Sequence, residues 1–288
     1  MDKSKITQDF LMYFLRSNEG QEQIRARTGG SSQPKLALTR LADVIIRTPD
    51  VAVQNEIADI VFSYDNLIEN NARRIQILEQ TAQAIYTEWF VNFCFPGHEK
   101  IKMVDSGTDF GKIPEGWEVL QVKDIIHRIS PGKLYDNKTV SPNGKVPVLD
   151  QGKSGIIGYH NDEPGVVASI EKPVIVFANH TCYQRLMLFP FSAIQNVLPF
   201  YPSEDKYRNI FWLHFATKDL IRFNDYKGHW PEFMQKKLVV PTADFANEFV
   251  ETIKPSVILS YKLELANKNL RQTRDLLLPK LVTGEIRV

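Results

Sequence analysis

Apolar positions recur in alternating steps of four and three along Ile57, Val61, Tyr64, Ile68, Asn71, Ile75, Leu78, Ala82, Ile85 and Trp89. That spacing is the a/d seam of a coiled coil. No proline or glycine interrupts residues 50–95, so the pattern predicts one continuous helix, on the order of 50 Å long at its rise per residue. A second seam follows at Phe249, Ile253, Ser256, Ser260, Leu263, Asn267, Leu270, Arg274, Leu277 and Leu281. It is more polar. Pro255 falls where the first turns are expected and predicts a kink or a late start, and Pro279 makes the last turn doubtful.

The two seams are copies. Residues 49–90 align with 241–282 without a gap, at an offset of 192. Pro49 falls on Pro241, Asn55-Glu56 on Asn247-Glu248, Leu67 on Leu259, Leu78 on Leu270 and Gln80-Thr81 on Gln272-Thr273. Their charges oppose. Residues 51–90 hold six acids against Arg73 and Arg74, whereas 251–288 hold seven bases against four acids. Opposite charge favours pairing each helix with the other over self-pairing, and the expectation is an intramolecular antiparallel pair. The alternative is two amphipathic helices lying on separate domains.

Between the seams the texture changes. Residues 96–112, rich in glycine and polar groups, read as a linker. Short β-type runs follow at Trp117–Leu120, Val146–Leu149, Ile156–Tyr159, Val166–Ala168 and Pro173–Phe177, separated by turns such as Ser141-Pro142-Asn143-Gly144. Helices are expected near Ile194–Val197 and Asn209–Thr217. The predicted fold class is α+β, with a globular domain over 113–245, one long helix over 49–95 and a second over 246–288. Residues 8–48 resemble the last third of the globular domain: an apolar helix, Gly29-Gly30, Pro34, then a strand-like Val44-Ile45-Ile46. Residues 1–48 therefore read as the C-terminal remnant of a first domain of the same kind.

Composition narrows the function. The 288 residues, 43% hydrophobic and 24% charged, suit a soluble protein with sizeable cores. A net charge of +1 gives no global basic field, so any nucleic-acid reading rests on local groups. Cys94 and Cys182 lack zinc-site spacing and read as reduced thiols of an intracellular, cytoplasmic protein, and no run reaches membrane-span length. Gly152-Lys153-Ser154 lacks the earlier glycine of a phosphate loop, since position 147 is proline. No motif marks a catalytic centre, and no metal site is expected.

Groups suited to base edges and phosphates do cluster in loops of the globular domain. Asn179, His180, Thr181, Gln184 and Arg185 follow the apolar run at 174–177. Tyr226, Lys227, His229 and Trp230 form a second cluster, and Lys153 with Tyr159 and His160 a third. Asparagine and glutamine match adenine bidentately, arginine matches guanine, and lysines 133, 138, 145, 153 and 172 suit phosphates. Polar loops are usually only solvated, which is the plain reading of each cluster taken alone.

Taken together, the chain resembles the DNA-specificity subunits of type I restriction–modification systems. Gly111-Lys112-Ile113-Pro114-Glu115-Gly116-Trp117-Glu118 resembles that family's lead-in to a target-recognition domain. Val146–Leu149 with Gly152, Gly158-Tyr159 and Lys172–Phe177 resemble its strands. Asn55–Ala58, Ile68–Asn71 and Thr81–Phe90 resemble its first long conserved helix, and Leu276–Ile286 its C-terminal signature.

The resemblance implies a non-catalytic subunit that reads a bipartite target in double-stranded DNA. It implies helices that dock methyltransferase subunits, two of them, with restriction subunits associated indirectly. S-adenosylmethionine, Mg and ATP would belong to those partners, with none bound by this chain. Such subunits carry two whole recognition domains, whereas one is expected complete here. Three accounts follow: a half subunit that rebuilds two-fold symmetry as a homodimer, a fragment, or a cassette for domain shuffling. An alternative function is a coiled-coil scaffold that binds partners but not DNA.

Overall fold

The computed structural model describes residues 5–29, 35–152, 155–203, 209–223 and 228–288. The chain divides into two compact units, residues 1–77 with 259–288 and residues 78–258.

The first unit is helical. It holds α1 (Gln8–Arg16), α2 (Asn18–Arg27), α3 (Leu38–Leu41) and lengths of two long helices, α4 (Val51–Tyr86) and α8 (Ala243–Thr283). The Thr7 hydroxyl accepts from the Phe10 N–H at 3.3 Å to start α1, and Ser17 closes α1 and caps α2. Phe10, Tyr13 and Phe14 are buried against Ile57 and Val61 of α4 and Leu278, Leu281 and Val282 of α8. Gln54, fully buried, accepts from the Thr7 N–H at 2.8 Å and donates to the carbonyls of Lys5 and Pro49.

Within this unit the two long helices run antiparallel, since Asp65 meets Arg274 and Asn71 meets Asn267. α8 begins at Ala243, earlier than the seam starts, so Pro255 lies in its interior, and Pro279 precedes its end at Thr283. Neither proline ends the helix. Each removes one backbone donor, but buried Phe249 and Ile253 anchor the stretch before Pro255, and Leu278 and Leu281 anchor the turn around Pro279.

The second unit is α+β. One four-stranded sheet orders β5 (Leu134–Tyr135), β10 (Ser192–Ile194), β6 (Val146–Leu149) and β7 (Ile156–His160). Another orders β4 (Ile126–Arg128), β11 (Val197–Pro202), β8 (Val174–Ala178) and β9 (Gln184–Met187). β12 (Lys237–Val240) pairs antiparallel with β3 (Glu118–Gln121). Helices α5 (Val122–Ile125), α6 (Ile210–Thr217) and α7 (Trp230–Gln235) complete it. An aromatic core joins Phe90 to Trp117 at 5.6 Å and to Phe249 at 5.1 Å, with Phe95 stacked on Trp117. α4 ends in a π-helical turn, Thr87–Val91, and Phe93 takes a positive φ that turns the chain away.

Four expectations change. Ile194–Val197 spans the end of β10, a two-residue turn at 195–196 and the start of β11 rather than a helix, with Asn196 at φ 69, which a helix does not allow. Val166–Ala168 makes an isolated bridge to Phe191 rather than a strand. The stretch 96–112 contains β1 (Met103–Asp105), which forms a hairpin with β2 (Lys112–Pro114), its turn opened by Gly107 and Gly111 at positive φ. Val44–Ile46 is not a strand. A strand needs a mate, and here the Gln23 side chain takes both backbone groups of Ile45, at 2.9 and 2.8 Å.

Candidate nucleic-acid interface

The β8–β9 hairpin carries the first cluster singled out from the sequence. Cys182 at φ 59 makes the tight return, with its N–H on the Ala178 carbonyl at 2.9 Å. The same hairpin turns several of the expected readers inward. Asn179 accepts from the Trp230 N–H through Oδ1 at 2.8 Å, and its carbonyl accepts from the His229 N–H at 3.0 Å. Gln184 is buried and donates to the His214 carbonyl at 2.9 Å and towards His214 Nδ1 at 3.2 Å. Burial, with a smaller push from Lys218, holds His214 neutral and drives its pKa down to about 3.

The other clusters divide in the same way. His160 accepts from the Asp162 N–H through Nδ1 at 3.1 Å, which leaves Nε2 to donate to Ser192 Oγ at 2.9 Å. Its ring stacks on Tyr135 at 4.2 Å. Trp230 packs among Phe177, Phe200 and Phe233, and His229 is 1% exposed. These five, Asn179, Gln184, His160, His229 and Trp230, are engaged in internal bonding or packing. Tyr159, His180 and Arg185 are half-buried and Thr181 is exposed; Arg185 lies over the Phe189 ring at 5.9 Å. Lys153, Tyr226 and Lys227 lie outside the described residues.

Thr181 leads to a groove of about 600 Å³, lined among others by Tyr135, Asn137, Asp150, Gln151, Thr181 and Gln195. Gln151 organises one wall. Its Oε1 accepts from the His180 N–H at 2.9 Å, and its carbonyl accepts from the Thr181 hydroxyl. Asp150 Oδ1 accepts from the Gly152 N–H at 2.9 Å and closes the turn after β6. Nearby, Lys133 bonds Asp162 at 2.8 Å, which raises the lysine and lowers the carboxylate from their ordinary values. Lys133 is thus ion-paired, while Lys138, Lys145 and Lys172 are exposed.

Asn137, Gln151 and Gln195 were not among the sequence candidates. Asn137 and Gln151 sit in loops beside Lys138 and Lys153, whereas Gln195 sits in the turn between β10 and β11, and the groove the three share draws on separate stretches of chain. The available signal was weak: a Gln-Gly pair directly after an apolar strand.

Comparison with known proteins addresses the family. The family described as the type I restriction modification DNA specificity domain, Methylase_S, matches residues 1–80. The MjaIX specificity subunit of Methanocaldococcus jannaschii is 25% identical, over 99% of this chain and 71% of its own length. The chain is similar to the specificity subunits of type I restriction–modification systems. The HindI specificity subunit of Haemophilus influenzae is 21% identical to this chain, over 96% of the chain and 77% of its own length. In fold, it is similar to the crystal structure of the S subunit of a type I system from M. genitalium, with a TM-score of 0.57 at 18% identity, covering 98% of this chain and 74% of that one.

Among the described residues, no group of three or more His, Cys, Asp or Glu side chains is placed to hold a metal ion. No described helix is long and apolar enough to cross a membrane.

Proposed function

We propose that the chain is the DNA-reading subunit of a type I restriction–modification system and that residues 113–245 present the reading surface. The observation that carries this is the groove beside β6 and β8. Its wall holds three carboxamides, Asn137, Gln151 and Gln195, with the Thr181 hydroxyl and the carboxylates of Asp136 and Asp150. Carboxamides match the N6/N7 edge of adenine, and carboxylates accept from the cytosine amino group. Exposed Lys138 and Lys145 supply phosphate contacts, which position without carrying sequence.

In this reading the chain itself catalyses nothing. Its helices dock methyltransferase subunits, two per assembly, and restriction subunits join indirectly. S-adenosylmethionine, Mg and ATP are used by those partners in a prokaryotic cytoplasm. A net charge of +1 gives the chain little non-specific affinity for DNA of its own. The test is retention of target and scrambled duplexes across a salt series, with and without the methyltransferase. Weak, sequence-blind retention alone and target-selective retention with the partner are expected. No selectivity in either state would leave the chain as a scaffold.

A further inference from the structure

β6 is buried along its whole length, lies between β10 and β7, and delivers Asp150 to the lining of the groove. Asp150 is half-buried, and its own N–H donates to the Gly155 carbonyl at 3.2 Å. Its Oδ1 accepts from the Gly152 N–H at 2.9 Å, while among the described residues nothing donates to Oδ2. Gly152 keeps that oxygen bare. A Cβ there would stand 3.4 Å from Oδ2 and 3.5 Å from Oδ1, against the carboxylate.

The polar neighbours are more fully engaged. Gln151 gives both ends of its carboxamide to His180, Oε1 to the backbone N–H at 2.9 Å and Nε2 to Nδ1 at 3.3 Å. It pins the turn after β6 to the β8–β9 hairpin and so acts as a positioning residue for Asp150. The Thr181 hydroxyl donates to the Gln151 carbonyl. Asp136 is exposed, and its Oδ1 accepts from the N–H groups of Lys138 and Thr139 at 2.9 and 3.0 Å, which shapes its own turn. Among the described residues that line the groove, none is Lys or Arg. Asp150 is therefore a fixed, half-buried acceptor with no described cation in the lining to cover it.

In the major groove cytosine presents its N4 amino group and no acceptor, whereas adenine, guanine and thymine each present at least one acceptor. A carboxylate oxygen drawn out of water gains a charge-assisted bond from the amino group and is repelled by N7, O6 or O4. We propose that Asp150 Oδ2 selects cytosine at one position of the target by accepting from that amino group. The assignment rests on the reading of the groove as the DNA-reading surface. A swap of one polar group then inverts the choice. In Asp150→Asn, Oδ1 still accepts from the Gly152 N–H, and Oδ2 gives way to an amide NH2, which only donates. Cytosine becomes the worst base there, and the three bases with acceptors gain.

The test uses the full chain assembled with a methyltransferase partner. Methylome sequencing with the wild-type chain gives the motif, and duplexes carrying each of the four bases at its cytosine positions are ranked by competition binding. The wild type is expected to prefer cytosine by about tenfold or more at one position. Asp150→Asn is expected to reverse the order at that position alone, with cytosine bound weakest. A duplex with 2-pyrimidinone in place of that cytosine, which lacks the amino group, should lose the same tenfold on the wild type, a readout that needs no variant to fold. A motif without cytosine, an order that Asp150→Asn leaves unchanged, a loss shared by all four bases, or indifference to 2-pyrimidinone overturns the assignment. Gln195→Ala, run alongside, separates the two failures. If it shifts the ranking where Asp150→Asn does not, only the Asp150 assignment falls; if neither shifts it, the groove reading falls as well.

Discussion

Asn71 donates its side-chain amide to Oδ1 of Asn267 at 3.0 Å, and Asn267 in turn donates to the Ile68 carbonyl at 3.1 Å. The pair occupies seam positions of both long helices, and Asn267 is 3% exposed. Within the first unit this is one register device, because sliding either helix by a heptad would set a buried amide against apolar neighbours.

Removing half of the device is expected to hurt more than removing all of it. Asn267→Ala leaves the Asn71 amide unmatched and lowers stability by about 1–3 kcal/mol. The double change Asn71→Leu with Asn267→Leu raises the urea midpoint above that of the single variant while loosening the choice of register. Urea titration, with sedimentation to detect new oligomers, checks both.

Tyr13 donates to Asp65 Oδ2 at 3.3 Å, and burial, reinforced by the Asp65 charge, pushes its pKa up to about 12 from 10.0. A phenol whose folded value is raised contributes stability that is whole below the unfolded value and lost as pH climbs through the folded one. Wild type should therefore lose more stability than Tyr13→Phe between pH 10 and 12. Parallel denaturation curves at pH 9, 10, 11 and 12 measure the difference.

His214 works at the other end of the scale. Its folded pKa of about 3 lies below the ordinary 6.5, so its contribution is present above pH 6.5 and falls away as pH drops towards 3. The unfolding equilibrium of the second unit should rise by about tenfold per pH unit in that window. His214→Gln, which keeps an acceptor for Gln184, should flatten the profile. An unchanged profile would mean that another buried group carries the acid sensitivity.

How much was legible beforehand follows from the range of each signal. The seam was legible because its period is local: all ten positions from Ile57 to Trp89 are buried or half-buried. β6 and β8 were legible for the same reason, as compact apolar runs. Pro255 misled because its own cost is local while the burial that overrides it comes from neighbours distant in sequence. Val44–Ile46 misled because β propensity says nothing of a mate, and Gln23 takes the place of one. Ile194–Val197 misled because one Asn at positive φ outweighs the helical look of its neighbours. The candidate readers split between surface and interior, Gln184 turned to His214 and Thr181 turned to the groove, because hairpin geometry decides which way a polar side chain faces. The groove amides escaped notice because they assemble only in three dimensions.

That split predicts a separation of effects. Gln184→Ala should lower the melting temperature and leave target preference intact, since its amide serves His214. Gln195→Ala should leave melting nearly unchanged and relax discrimination by about 1–3 kcal/mol at one base pair, whereas Gln151→Ala, which removes the acceptor for the His180 N–H, should both lower melting and relax discrimination. Differential scanning fluorimetry set beside competition binding with the methyltransferase present distinguishes the two classes.

The most direct test of the central claim is methylome sequencing of cells that carry this chain with a methyltransferase partner, repeated with Gln151→Ala and Gln195→Ala. Adenine methylation at one defined sequence, altered by the groove substitutions, is the predicted result. Methylation without a defined sequence, or a motif that neither substitution changes, would contradict it.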